Sequence, residues 1–219
     1  MKTPRICAVI TNNDIKPIRD IETLVDLFEI RIDLIGDGWE NLVGQLNKPW
    51  IACNRIAEEG GQWQGNEARR IEKLLQAGEL GADIIDIELR TKNLERIVLL
   101  IKKRAKCLIS FHNMEETPPL NEMKEIIKQQ IKAGSDICKL VTTAQKLEDN
   151  WEVLQLISDF PEVRLVTMAM GQMGSISRVL CPLIGGDFTY ASIETGKESA
   201  KGQIPVKDLK RIYEMVKNE

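Results

Sequence analysis

The sequence predicts an α/β chain folded as a (β/α)8 barrel of the TIM type. Three observations carry that expectation. Eight short apolar runs recur along the 219 residues, charge-rich helical segments separate them, and no glycine fingerprint for a dinucleotide follows the first run. Strict alternation calls for a parallel sheet, and eight repeats favour closure over an open doubly wound sheet. Barrels commonly run near this length as one domain, and no low-complexity linker interrupts the chain, so 1–219 reads as a single catalytic domain.

Arg5–Ile10 is the first strand. Asp20–Asp26 is a short first helix before the second strand, Phe28–Asp33, and Trp39–Leu46 an equally short one before the third, Trp50–Arg55. From there the helices lengthen. Asn66–Gly78 has helix formers with apolar residues at three-to-four spacing and closes on glycine, ahead of the strand Asp83–Leu89. Thr91–Arg104 leads to Cys107–His112, Pro118–Ala133 to Ile137–Thr142, and Gln145–Ser158 to Leu165–Met170. Phe188–Ser192 is the eighth strand and Pro205–Lys217 the closing helix.

Composition narrows the partners. A formal charge of −3 with no basic tract fits neither nucleic acid nor an anionic membrane, which leaves a small-molecule substrate. The opening MKTPRICAVITNND breaks its apolar run with polar residues, and no stretch nears the roughly 20 apolar residues of a membrane span. Cys7, Cys53, Cys107, Cys138 and Cys181 are scattered singly and suit reduced thiols in a cytoplasmic protein. With no CxxC pair and His112 as the one histidine, no metal site is expected.

Side chains two apart on a strand share a face, which gives a parity test. If Phe28, Ile30 and Ile32 meet the helices, then Glu29, Arg31 and Asp33 point into the barrel; if Ile85, Ile87 and Leu89 face out, Asp86 and Glu88 face in. Arg55 shares its face with Ile51 and Cys53, His112 with Leu108 and Ser110, and Lys139 with Ile137 and Val141. These charges gather near the C-terminal strand ends, where barrel enzymes keep their chemistry. Each one alone also fits the start of a solvated loop.

Lys139, in DICKLVT, must lose hydration or find anionic partners on an inner face. It fits either an ion-paired lysine or a Schiff-base nucleophile whose confined amine has a lowered proton affinity. His112, in LISFHN, fits a structural histidine or a proton carrier next to that amine.

The motifs SFHN around His112, CKLVT around Lys139, FEIRID around Glu29 and Arg31, and DIEL at Asp86 and Glu88 resemble the type I 3-dehydroquinate dehydratases. MAMG at Met168–Gly171, SISR ending at Arg178, and SAKGQ at Ser199–Gln203 continue the resemblance in the same order. It implies that Lys139 forms an imine with the ketone of 3-dehydroquinate, that His112 is general base and acid, and that Glu59 orients the histidine. It further implies that Glu29, Arg31 and Arg55 surround the substrate, that Arg178 holds its carboxylate, and that Ser199 and Gln203 belong to a closing lid. No cofactor is implied, the product is 3-dehydroshikimate of the shikimate pathway, and a homodimer is the implied assembly. Two positions depart from the family's pattern: Lys201 stands where proline is usual, and Met114 where an aromatic residue is usual. A class I aldolase and a ligand-binding barrel without turnover are the rival readings; Gly185–Gly186 keeps a phosphate cradle open for the first.

Overall fold

Apolar side chains alternating with a second inward set make each run a barrel strand, and the computed structural model, which describes residues 3–217, bears this pattern out. The strands are β1 Ile6–Ile10, β2 Leu27–Arg31, β3 Trp50–Cys53, β4 Ile84–Glu88, β5 Lys106–His112, β6 Ile137–Thr143, β7 Leu165–Met170, β8 Thr189–Ser192 and β9 Ile204–Pro205. The helices are α1 Ile15–Ile21, α2 Ile32–Ile35, α3 Glu40–Val43, α4 Glu67–Glu79, α5 Leu94–Ile101, α6 Leu120–Lys132, α7 Asp149–Asp159, α8 Ser175–Leu180 and α9 Val206–Lys217.

All the ladders among the described residues are parallel, in the order β7-β6-β5-β4-β3-β2-β1-β8-β9. The sheet curls into a (β/α)8 barrel. Phe28, Ile30, Ile85, Ile87 and Ile109 meet the helices, while Val9, Leu27, Ile51, Leu108, Ile137 and Val166 fill the interior. A further cluster around Met123, Ile127, Leu140 and Val153 seats α6 and α7 on the sheet.

The floor shows a repeat that explains the register. Asp26, Asp83 and Asp136 each stand immediately before an even-numbered strand, and Asp187 two residues before β8. The first three accept the N–H of Ile6 (2.8 Å), Trp50 (2.9 Å) and Cys107 (2.8 Å), at the start of the strand before. Each carboxylate thereby satisfies a donor that precedes the ladder and fixes one βαβ unit. Asp187 breaks the pattern: it pairs with Arg5 (3.2 Å) and Arg164 (2.7 Å) instead. This is the seam, where no ladder joins β7 to β8 among the described residues and a backbone bond from Asp187 N to Leu165 O (2.8 Å) sits beside the ion pairs.

Local departures from the sequence expectations have local causes. The first helix begins at Ile15 rather than Asp20, because Asp14 caps it by accepting the Lys16 N–H and Pro17, with no N–H, needs no acceptor in the first turn. Trp39–Leu46 contains only the single turn α3, and a second turn, α2, takes over directly from β2. The second strand therefore ends at Arg31, and the third at Cys53. Asp33, expected on the inner face, lies in α2, with its carboxylate bound by Arg31 (2.9 and 2.7 Å) and the N–H groups of Arg55 and Gln62. Helix α8 and strand β9 are too short for periodicity to define.

Candidate active site

At the C-terminal end of the barrel lies a cavity of about 320 Å3. Glu29, Arg31, Arg55, Glu59, His112, Lys139, Arg178, Ser199 and Gln203 all border it, together with Cys53, Met114, Met168, Tyr190 and Lys201. Asp86 and Glu88 lie below, as buried counter-charges.

Parity puts Lys139 inside. Its neighbours Ile137 and Val141 belong to the interior cluster, while Cys138 and Leu140 pack on the helix side. The ammonium sits 3.0 Å from Asp86 Oδ2, 3.6 Å from Glu29 Oε1 and 4.2 Å from the centre of the Tyr190 ring. Burial works to release its proton, but the carboxylates of Asp86 and Glu29 outweigh burial and hold its pKa above the ordinary lysine value. The lowered proton affinity expected from sequence is thus corrected: in the open site Lys139 is an ion-paired ammonium. Asp86 keeps its charge against burial because Arg55 and Lys139 flank it, which holds its carboxyl well below the usual range.

His112 ends β5, two residues beyond Ser110, the partner of Lys139 in the β5–β6 register. Both side chains therefore face the same cavity from adjacent strands. Glu59 Oε2 accepts the His112 backbone N–H at 2.9 Å and lies 2.8 Å from Nδ1. Burial and the nearby cations Arg55 and Lys139 push the imidazole well below its usual pKa, so it is neutral. A neutral ring that donates Nδ1–H to Glu59 leaves Nε2 as the free base. Burial also raises the Glu59 carboxyl to about 7. The residue rides on a 3-10 turn, Ala57–Glu59, that closes through Gly60 at φ +79, a backbone region that favours glycine. Met114 packs on Gly60, where a Cβ would strike its Cε, so this departure from the family's pattern fills space beside the turn.

The arginines differ in one respect that decides their use. Arg31 is paired with Asp33, and Arg55 with Asp86 (2.6 Å) and Glu88 (2.9 Å). Arg178, 2% exposed, has no carboxylate partner among the described residues; Nη1 meets Met168 Sδ and Nη2 the Lys201 carbonyl at 3.3 Å. Burial alone draws its pKa down to about 10. A desolvated cation with a free edge, Nε having no partner, is a seat for an anion. The loop above it is held by the Lys201 carbonyl, which also accepts from Gly171 N (3.1 Å), and by Gln203 Oε1, which accepts the Ser199 N–H at 2.8 Å. Gly202, at φ +76, has no room for a Cβ against Gly171 O.

Charge parity locates Asp86, the Lys139 counter-ion, but does not rank it above Glu29. Tyr190 is not found by reading charged residues. The inward parity of Phe188, Tyr190 and Ser192 is the signal that would have placed its ring beneath the amine.

Comparison with known proteins places this arrangement. The family model described as type I 3-dehydroquinase matches residues 6–219. The chain belongs to that family. A curated 3-dehydroquinate dehydratase of Dehalococcoides mccartyi is 41% identical over 99% of this chain and 97% of its own, and that of Methanosarcina mazei is 36% identical over 88% and 86%. Among solved structures, the 3-dehydroquinate dehydratase of Geobacillus kaustophilus superposes with a TM-score of 0.85 at 26% identity, covering 99% of this chain and 92% of that one. A type I enzyme of Clostridium difficile, solved with covalently modified comenic acid, has a TM-score of 0.86 at 23% identity, covering 98% and 92%, and shows the shared fold. As a type I 3-dehydroquinase the chain is an enzyme of the dehydratase class, a lyase.

Proposed function

We propose that this protein converts 3-dehydroquinate to 3-dehydroshikimate through a Schiff base on Lys139, within the shikimate pathway. The observation that carries the reading is one cavity holding an amine, a neutral imidazole on the neighbouring strand and an unpaired buried guanidinium.

Arg178 takes the substrate carboxylate, with the fork geometry that suits it. His112 accepts a proton from the Lys139 ammonium, and the freed amine adds to the C3 ketone to give a carbinolamine. The imidazolium returns the proton to the carbinolamine hydroxyl, which leaves as water, so the iminium forms with His112 neutral again. His112 Nε2 then removes a C2 proton, and the electron pair moves into the iminium to give an enamine. The imidazolium, held by Glu59, protonates the C1 hydroxyl as the C1–O bond breaks. Water hydrolyses the conjugated iminium, freeing product and restoring the Lys139 ammonium. Asp86 and Glu29 stabilise positive charge on the nitrogen whenever it carries one, in the ammonium and in the two iminium states. Ser199 and Gln203 close the mouth, which keeps bulk water from the enamine.

The same proposal has residues 1–219 acting as one catalytic barrel, a homodimer of the cytoplasm. Exposed Trp151, Leu147 and Ile184 offer apolar surface for self-association, and no helix of the described residues is long and apolar enough to cross a membrane.

Borohydride added during turnover will leave a reduced adduct on the peptide that contains Lys139, visible as a mass increase. An unmodified Lys139 peptide from active enzyme would refute the mechanism. For Arg178→Ala the expected change is chiefly in KM, since losing a desolvated carboxylate contact costs on the order of 2–5 kcal/mol. An unaltered KM would remove Arg178 from the carboxylate site.

A further inference from the structure

A single file of alternating charges runs from the outer surface of the barrel wall to the Lys139 nitrogen. It begins at Glu67, on the first turn of α4, whose carboxylate takes Arg70 Nε and Nη2, both at 2.8 Å. Arg70 is fully buried although its helix lies outside the sheet. Its Nη1 reaches Glu88 Oε2 at 2.5 Å and also donates to the Asn54 carbonyl (3.1 Å). Glu88 Oε1 binds Arg55 Nη1 at 2.9 Å, Arg55 Nη2 binds Asp86 Oδ2 at 2.6 Å, and that same oxygen lies 3.0 Å from Lys139 Nζ. Every link from Arg70 inward is buried, so solvent screens none of them.

We infer that Arg70, which does not border the cavity, is a positioning residue for the nucleophile: by holding one oxygen of Glu88 it sets how Arg55 divides itself between Glu88 and Asp86. The consequence is electrostatic. Asp86 is shared between Arg55 and Lys139, and the charge that Arg55 neutralises on Asp86 is charge that no longer retains the Lys139 proton. Without Arg70, Glu88 is left with Arg55 and the Ile56 N–H (3.3 Å), and it draws the guanidinium away from Asp86. Asp86 then binds the ammonium more tightly and the neutral amine becomes scarcer. Loss of a buried positive charge acts in the same direction. The other groups facing Lys139 stay as they are: Glu29 on β2 favours the ammonium, and His112 on β5 lines the same cavity. Cys53 on β3, Cys7 on β1 and Tyr190 on β8 lie with them around the nitrogen.

The inference rests on Lys139 as the imine-forming amine, and its test separates the two. The rate of substrate-dependent borohydride trapping at Lys139 is measured against pH for the unchanged enzyme, Arg70→Met and Arg70→Lys. The expected result is a trapping profile displaced to higher pH in Arg70→Met, about tenfold slower trapping at a fixed pH near neutrality, and partial recovery in Arg70→Lys, which keeps the charge without the fork. A merely structural role would lower the melting temperature and leave the profile where it was. Superimposable profiles for the unchanged enzyme and Arg70→Lys, together with Arg70→Met if it folds, overturn the inference. Absence of any Lys139 adduct in the unchanged enzyme overturns the Schiff-base reading instead. Glu67→Gln, at a half-exposed position, keeps the test open if Arg70→Met fails to fold: it removes the charge that competes with Glu88 for Arg70, so the profile is expected to move by less and in the opposite direction, to lower pH, and an unmoved profile overturns the inference.

Discussion

His112→Ala will lower kcat by about 10^2 to 10^4-fold or more, while substrate is still captured on Lys139 by borohydride during a long incubation. The two halves of this outcome come from different atoms. Imine formation needs the Lys139 amine and a ketone, and solvent can replace the imidazole slowly in moving the proton out and back. Removal of the C2 proton and departure of the C1 hydroxyl need a base and then an acid inside a closed cavity, where the one other group titrating near neutrality is Glu59. Its Oε2 is tied to the backbone N–H of residue 112, Glu29 faces the ammonium, and the tyrosine and thiol nearby are pushed well above their ordinary values by burial. Rapid-quench trapping beside steady-state turnover measures both halves at once. Turnover within a few-fold of the unchanged enzyme would show that a different group carries the proton, and loss of the adduct as well as of turnover would mean that His112 is needed already for imine formation.

The parts of this molecule that could be read from sequence are those that depend on period and spacing. Strand parity placed Glu29, Arg31, Asp86, Glu88, Ser110 and Lys139 on the inner face, because a period of two leaves only one alternative and the outer set is apolar. It failed at Asp33, because parity holds only while the strand lasts, and nothing in FEIRID marks the turn into helix after Arg31. Short elements such as α2, α3 and β9 are fixed by tertiary contacts rather than by propensity, so their sequences carry little signal. The charge state of Lys139 was misread for a related reason. Burial on an inner face argues for a lowered proton affinity, and only three-dimensional distances reveal that two carboxylates stand within 3.6 Å. The loop bearing Ser199 and Gln203 was legible only through the family resemblance, since glycine-bearing turns look alike.

Arg55→Ala will destabilise the fold by about 3–5 kcal/mol, a loss that urea denaturation near neutral pH measures directly. Coulombic attraction in the intact barrel is largely offset by the cost of drying four or more charges, so the network as a whole adds little net stability. Removing its central cation is different: Asp86 and Glu88, each 1% exposed, keep only Lys139 and Arg70 as counter-cations, and Ser110 loses the donor that meets its hydroxyl at 2.6 Å. An exposed pair such as Glu125–Lys128 on α6 marks the opposite limit, where deletion is expected to cost no more than about 0.5 kcal/mol. The pH dependence has a definite sign. Asp86 is held below its unfolded pKa in the native state, so its contribution is present above that unfolded value and is lost as pH falls through the lower native one. Taking Arg55 away moves the native value upward, toward the unfolded one, so the acid loss attributable to Asp86 is smaller in the variant and is complete at a higher pH than in the unchanged protein. A destabilisation below about 1 kcal/mol would mean that water enters and solvates the carboxylates, and the dry charge chain beneath Lys139 would then be no condition of the fold.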